Sequence, residues 1–462
     1  MTISTYTITR NSTERARSRA RIGGTGVDSP APNTAGQSRA GQPRDPMVRL
    51  AAALMYMGIV SIPWLALRIG SGITISDCLF VSAFCCCGAA AALRQIRVPS
   101  NRPWRIAGFL TMAGATLSLS RADSVSGTLA VELRILFLLL AWQFAARALL
   151  NTEAKLARGV DYFIIGATIS GIVSAGQALG GGLAYGNLFQ GRAVGLTGHP
   201  NDAGGSLCIA LIMAIATTTF RGSGRWGWRV AAVFFIAGGL ILSASVTGML
   251  AAIAGTLLLV LRRDLPLRKL LLTIAATILA LAIGTSVQSR ISESTSANVN
   301  PLARFAQTTG AGTIEQNTLE SRLASDRKAW SDVIDSPLFG RGLDDSSAVV
   351  IGTSLATHNI ILGAWRGGGL LFAMGIALAL VSAVRPSARK SGPAPLFEVI
   401  YLAAATALLF SMTAPSLSAR YFWLPFVLLL AHQNFANPAD AVPPTPITSS
   451  PPLKGHHSDY LV

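Results

Sequence analysis

Long apolar stretches recur along this chain and leave few ways to fold it. They lie near 48–67, 75–93, 104–120, 128–147, 160–180, 203–220, 230–244, 246–261, 269–287, 358–384, 396–414 and 419–433. Each is long enough, or nearly long enough, to cross a hydrocarbon core. Inside lipid every backbone polar group must be satisfied within the protein, so a spanning segment is a helix or part of a closed barrel. Uninterrupted runs of this length predict helices. The expected fold is an all-α polytopic membrane protein of about twelve transmembrane helices. Composition agrees: 51% of residues are hydrophobic and only 13% charged, with a mean hydropathy of +0.49.

The formal net charge is +17. A basic chain can serve nucleic acid, but here the placement of charge argues for topology. With a cytoplasmic N-terminus, the inner segments are "RQIRVPSNRPWR", "RALLNTEAKLAR", "RGSGRWGWR", "RRDLPLRK", "RPSARK" and both tails. Together they hold roughly two thirds of the 38 lysines and arginines. Most short outer loops hold one basic residue or none. The expectation is a multi-pass plasma-membrane protein with both termini cytoplasmic and no nucleic-acid partner.

The same parity divides the chain. Residues 1–47 are polar and rich in Arg, Ser, Thr and Gly, and predict a disordered basic cytoplasmic arm without a cleavable signal peptide. Residues 48–287 hold the first nine spans, 288–357 form one long extracytoplasmic loop, and 358–433 hold the last three spans. Residues 434–462 predict a disordered Pro/Ser-rich cytoplasmic tail. The long loop carries six basic and eight acidic residues, so the protein's basicity does not come from it. Its first half reads as flexible. In its second half Leu319, Leu323, Ala329, Trp330, Val333 and Ile334 recur at helical spacing. They predict an amphipathic helix, ended by Pro337 and two glycines, that lies on the bilayer or caps the bundle. Cys78, Cys85, Cys86, Cys87 and Cys208 all fall in apolar segments. They read as small packing residues, with no disulfide framework and no metal site.

Three polar constellations gather on the predicted outer side. In "GRAVGLTGHPND", Pro200 suits a first helical turn, and Asn201 or Asp202 can cap it. Arg192 stands eight residues earlier in a glycine-rich loop. It can serve as an interfacial arginine of an ordinary capped loop, or hold a phosphate near helix-terminal amides. His199 can hydrogen-bond a substrate, though nothing requires it to move a proton. In "ATHNIILGAWRGGGLLF", His358 and Asn359 stand where the long loop re-enters the membrane. A histidine there can exchange protons near neutral pH. Arg366 lies inside the span, where an arginine needs a partner or a wet cavity, and the glycines after it permit close backbone approach or unwinding. In "VELRILFLLLAW", Glu132 and Arg134 do not share a helix face. Glu132 pairing with Arg366 is the expectation. There is no Walker loop, zinc-ligand spacing or GxSxG elbow, so no cofactor or metal is implied. Arginines with a histidine suit an anionic lipid-linked substrate whose attacking hydroxyl must lose a proton.

From about Tyr162 to Leu380 the order of these features resembles the O-antigen ligase and O-antigen polymerase family of bacterial envelope glycan enzymes. The pieces are "GRAVGLTGHPNDAGG", "ILSASVTGMLAAI", "ESRLASDRKAWSDVIDSPLFGRGL" and "THNIILGAWRGGGL". The resemblance implies a helical bundle with a capping outer loop, and transfer of a glycan from an undecaprenyl-diphosphate carrier to an acceptor hydroxyl, without metal or nucleotide. It implies His358 as the group that activates the acceptor and Arg192 as a diphosphate ligand. Arg322 matches an arginine ahead of the loop tryptophan. Asn359, Asn201, His199, Arg341 and Arg366 complete the expected substrate-binding set. The chain departs from the family at Val246, where an arginine often stands; Arg366, Arg341 or Arg420 are the candidates to replace it. Two other functions suit the same sequence. A lipid-linked-sugar transporter or flippase agrees with the span number and intramembrane charge. A non-catalytic scaffold agrees with the missing arginine.

Overall fold

The computed structural model describes residues 46–69, 73–93, 96, 101–179, 188–189, 192–220, 226–261, scattered positions within 271–286, and 318–343, 349–350, 353–354, 357–385 and 395–436. The basic arm, the Pro/Ser-rich tail, most of the ninth expected span and the first half of the long loop lie outside the described residues. Within them the chain is a bundle of helices, α1 (Pro46–Ser61), α2 (Ile75–Ala92), α3 (Arg102–Ser118), α4 (Val125–Leu149), α5 (Glu153–Ala178), α6 (Pro200–Phe220), α7 (Trp226–Leu242), α8 (Val246–Val260), α9 (Thr318–Asp335), α10 (Ile360–Val384), α11 (Pro395–Ser411) and α12 (Arg420–Ala436). It is a polytopic all-helical membrane protein. All but α9 coincide with expected spans. Among the described residues five helices (α2, α4, α5, α6 and α10) are at once long and apolar enough to cross a membrane.

Burial explains the arrangement. Helix α6 is apolar all round and buried over 94% of its most apolar window, which makes it the central helix. Helices α7, α8 and α11 pack around it, α1 lies on α2 and α5, and α10 lies along α3. The outward flanks carry Phe109, Leu133, Ile253 and Val381, all exposed, as lipid-facing surfaces require. Helix α4 contains a π-helical stretch at Phe137–Trp142, where the Leu139 carbonyl accepts from the Trp104 indole at 2.6 Å. The indole of α3 thus reaches a backbone carbonyl of α4 within the π-helical stretch.

The turns at one end of the bundle are tied to each other. A short hairpin, β1 (Arg68–Ile69) with β2 (Ile73–Thr74), follows α1. Ala66 N–H donates to the Leu196 carbonyl in the loop before α6. Gln177 at the end of α5 holds that loop too: its side-chain oxygen accepts from the amides of Val194 and Gly195 at 3.0 and 2.9 Å. Every element end that meets there precedes or follows a helix described above, so the sequence delivers its loop residues to one place.

Helix α9 and its exit are locked onto α10 by backbone. Helix α10 breaks at Gly369, whose φ is +72°. The carbonyls of Arg366 and Gly367, next to the break, accept from the amides of Arg341 and Gly342 at 2.8 and 3.0 Å. Leu370 N–H donates in return to Pro337 O at 3.0 Å. "SPLFGRGL" and "RGGGL" are therefore two halves of one interlock. A Cβ on Gly369 would overlap the Leu338 carbonyl, in a conformation that L-residues rarely adopt. Gly369→Ala is expected to cost about 3 kcal/mol or more of stability, read as a lowered Tm in detergent. A Tm unchanged from wild type would mean that the interlock is not formed in solution.

The α9 helix corrects the expected apolar face in part. Ala329 and Val333 are buried against the bundle, but Leu323, Trp330 and Ile334 are exposed. The buried side is completed by Ser325 and Asp332, so the inward face is mixed and an apolar face remains outside.

Candidate functional site

His358 stands one residue ahead of the α10 cap. Asn359 makes that cap: its side-chain oxygen accepts from the amides of Ile361 and Leu362 at 3.0 and 3.1 Å. Asn359 thus fixes the helix start beside His358 and is engaged in doing so. His358 N–H donates to Asp326 Oδ1 at 3.4 Å, which ties it to α9. Its imidazole Nδ1 is buried and has no hydrogen-bond partner among the described residues. Burial holds the imidazole below the ordinary histidine range; the Arg322 cation pushes the same way and Asp326 opposes. His358 accordingly keeps one buried ring nitrogen without a hydrogen-bond partner among the described residues.

Arg322 comes from the first turns of α9. Its guanidinium donates to Thr247 Oγ1 at 3.0 Å and to Thr413 O at 3.5 Å. Thr247 adjoins Val246, so α9 supplies a cation beside the residue where the resemblance led one to expect an arginine. The three candidates named for that role stand elsewhere. Arg366 pairs with Asp332 of α9 at 2.8 Å, Arg341 with Asp335 at 3.1 Å on an exposed rim, and Arg420 with Asp77 at the start of α2. The expected Glu132–Arg366 pair is not formed. Helix α3 lies along α10, and Glu132 instead receives a hydrogen bond from Thr116 of α3 at 3.4 Å, while Arg366 turns outward to the loop helix. Burial pushes the Asp332 carboxyl up, but hydrogen bonds from Lys328 and Arg366 outweigh it and hold the group below the usual carboxylate range.

The opening of α6 is also corrected. Neither Asn201 nor Asp202 caps it. His199 does: its carbonyl accepts from Ala203 N–H at 3.0 Å and its Nδ1 from Asn201 N–H at 3.2 Å. A nitrogen that accepts must be unprotonated, and burial, aided by Arg192 and opposed by Asp202, keeps His199 below its ordinary range. The Asn201 side chain accepts from Arg192 at 3.3 Å, and Asp202 accepts from the Tyr421 hydroxyl at 3.0 Å.

Arg192 is only 6% exposed. Its guanidinium donates to the carbonyls of Ser243 and Ala244 at 2.8 and 3.3 Å, in the turn between α7 and α8. Ala244 has φ +45°, a conformation that costs energy for a residue other than glycine and turns its carbonyl to the arginine. Arg192 therefore fastens the α6 loop to this turn. Arg192→Ala is expected to lower stability by about 2 kcal/mol or more through the two orphaned carbonyls and Asn201. A thermal-shift assay in detergent checks this. A folded, fully stable variant would return Arg192 to a purely ligand-binding role.

Helix α9 thus carries two tethers, Asp326 to the His358 amide and Arg322 to Thr247, with the Arg322 charge felt at His358. The Arg192–Asn201–His199 group adjoins it through the 243–247 turn. Arg341 stays on the rim. Asp326, Asp332, Thr247 and Gln177 carry the arrangement but make no motif in sequence. Only the need of Arg366 for a partner pointed to an acid in the loop.

No family model matches this chain. A curated protein, NADH-quinone oxidoreductase subunit N 1 of Acidiphilium cryptum, is 30% identical over 149 residues. The match covers 31% of this chain and 30% of that protein, so the chain spans under a third of the relative's length. The similarity accords with a helical membrane protein.

Proposed function

We propose that this protein is an O-antigen ligase-like membrane glycosyltransferase. It moves a glycan from an undecaprenyl-diphosphate carrier to an acceptor hydroxyl on the outer face of the plasma membrane. The carrying observation is His358, a neutral buried imidazole with an unpartnered Nδ1 beside the Arg322 cation. The acceptor hydroxyl gives its proton to His358 as its oxygen bonds to the anomeric carbon. The bond from that carbon to the diphosphate breaks, and the carrier leaves as undecaprenyl diphosphate. Arg322 stabilises negative charge near the base. Arg192, His199 and Asn201 hold the loop before α6 against the 243–244 turn, and Asn359 and Arg366 hold α10 in place. The distribution of lysine and arginine in the sequence supports an outward orientation of this end, on a reading of about twelve spans with both termini cytoplasmic. Ligase and polymerase share this chemistry and differ in acceptor.

The test is the surface glycan of a strain lacking the gene. Free lipid-linked chains and no attachment indicate a ligase; single-repeat chains indicate a polymerase. An unaltered glycan removes the proposal. A transporter of lipid-linked sugars is the second reading, favoured by Glu132, a buried acid in α4 whose Oε2 has no partner among the described residues. Liposomes in which the protein moves such a lipid without making a glycosidic bond decide for it.

A further inference from the structure

We infer that Arg102 and Arg105 of α3 hold the headgroup phosphate of an anionic phospholipid whose acyl chain runs along Ile106 and Phe109. The inference stands apart from the proposed function and concerns the other end of the bundle.

These four side chains line one groove of about 290 Å³. They stand at positions i, i+3, i+4 and i+7 of one helix, so they share a face. Arg102 and Arg105 are both exposed, and neither has a hydrogen bond or an ion pair among the described residues. The segment that leads into α3, "RQIRVPSNRPWR", holds four arginines and no acid, so it brings them no carboxylate of its own. Two guanidiniums one turn apart, with about 5–6 Å between their Cβ atoms, can close on a single phosphate from two sides. Trp104 between them does not cover the groove. It is buried, and its indole donates to Leu139 O of α4 at 2.6 Å. The Asn101 side chain accepts from the Trp104 amide at 3.1 Å. Both bonds fix the turn that presents the two arginines.

The position of the groove selects a lipid over free phosphate. One flank of α3 is pressed on α10: a Cβ on Gly114 would overlap the Phe372 amide, and one on Gly375 the Thr111 amide. This antiparallel packing sets the start of α3 at the far end of α10 from His358. The other flank carries Ile106, Phe109, Met112 and Leu117, all exposed. In a membrane bundle such a strip faces acyl chains, and it begins where the two arginines stand. The groove is at the small end of ligand pockets and takes a headgroup but not a whole lipid, so the chains continue along the strip. The basic-residue pattern reads this end as cytoplasmic, the side on which basic pockets of spanning helices take anionic headgroups.

The experiment uses the full chain in detergent and counts bound lipid by native mass spectrometry during titration with dioleoyl phosphatidylglycerol, dioleoyl phosphatidylcholine or inorganic phosphate. Wild type should bind phosphatidylglycerol more tightly than phosphatidylcholine. Arg102→Gln and Arg105→Gln should each weaken phosphatidylglycerol about fivefold, and the double variant about 25-fold. Arg121→Gln removes an exposed cation just past the other end of α3 and should leave the affinity unchanged. Undiminished affinity in a double variant of wild-type Tm overturns the inference. An equal loss in Arg121→Gln also overturns it, because net charge alone would then account for the effect. Phosphatidylcholine binding as tightly as phosphatidylglycerol would make the groove an ordinary lipid contact and overturn it. Inorganic phosphate displacing the lipid at equal concentration would make it a site for a soluble anion and overturn it as well. If the double variant does not fold, Arg105→Gln alone decides on the fivefold criterion.

Discussion

A His358→Ala protein is expected to fold and insert as wild type does and to lose about 10²–10⁴-fold in transfer rate. The size follows from the role: a positioned base removes the acceptor proton as the glycosidic bond forms, and among the described residues no other histidine is tied to α9. His199 is occupied as the α6 cap, with Nδ1 accepting from Asn201. The pH profile tests the same point independently of folding. A base must be unprotonated, so the rate should rise with pH through the His358 pKa and then level. Burial and Arg322 lower that pKa, so the rising limb should lie below about pH 6.5, the ordinary histidine value. Arg322→Gln removes a cation and should move the limb to higher pH. Asp326→Asn removes an anion and should move it lower. Limbs that stay put in both variants, or a His358→Ala protein that transfers at the wild-type rate, exclude His358 as the base.

The helical bundle was legible because lipid imposes one constraint on every span. Apolar length alone located α1 to α8 and α10 to α12. The start of α6 at Pro200 and the break near "RGGG" were also readable, since proline and glycine carry their backbone preferences with them. Partner choice was not readable. Glu132 and Arg366 both called for counter-charges, and sequence offered each to the other. In space α3 runs along α10 and meets Glu132, and α9 brings Asp332 to Arg366 from a loop 34 residues away. Likewise the capping role passed from Asn201 to His199. An imidazole nitrogen can accept as a carboxamide does, and Arg192 had already drawn the Asn201 oxygen aside. Such outcomes depend on which long side chains reach which carbonyls, and no period in the sequence records that.

Asp332→Ala should be the most damaging single change outside the catalytic group, costing about 3–5 kcal/mol. Arg366 lies six residues into α10, roughly 9 Å along its axis, where an unpaired guanidinium is expensive. Its Nε meets Asp332 Oδ2 at 2.8 Å, with both side chains no more than 10% exposed. Lys328 approaches the other oxygen at 2.7 Å but is itself mostly exposed, so it contributes less. Removing the carboxylate leaves a buried cation where α9 is fastened. The backbone interlock of Arg341 and Gly342 with Arg366 and Gly367 would then hold α9 at its C-terminal end alone. Arg322 in the first turns of α9 and Asp326 at its middle should lose Thr247 and His358, so transfer should fall together with stability. Limited proteolysis should show faster cleavage within 318–343. Asp332→Asn keeps shape and one acceptor and should cost less. Asp332→Leu with Arg366→Met removes both charges and should recover most of the Tm, because an apolar pair carries no desolvation penalty. It should recover activity as well if the pair acts only by docking α9. A double variant that is stable but inactive would give Arg366 or Asp332 a direct part in transfer. An Asp332→Ala protein with wild-type Tm would mean that water already reaches the guanidinium.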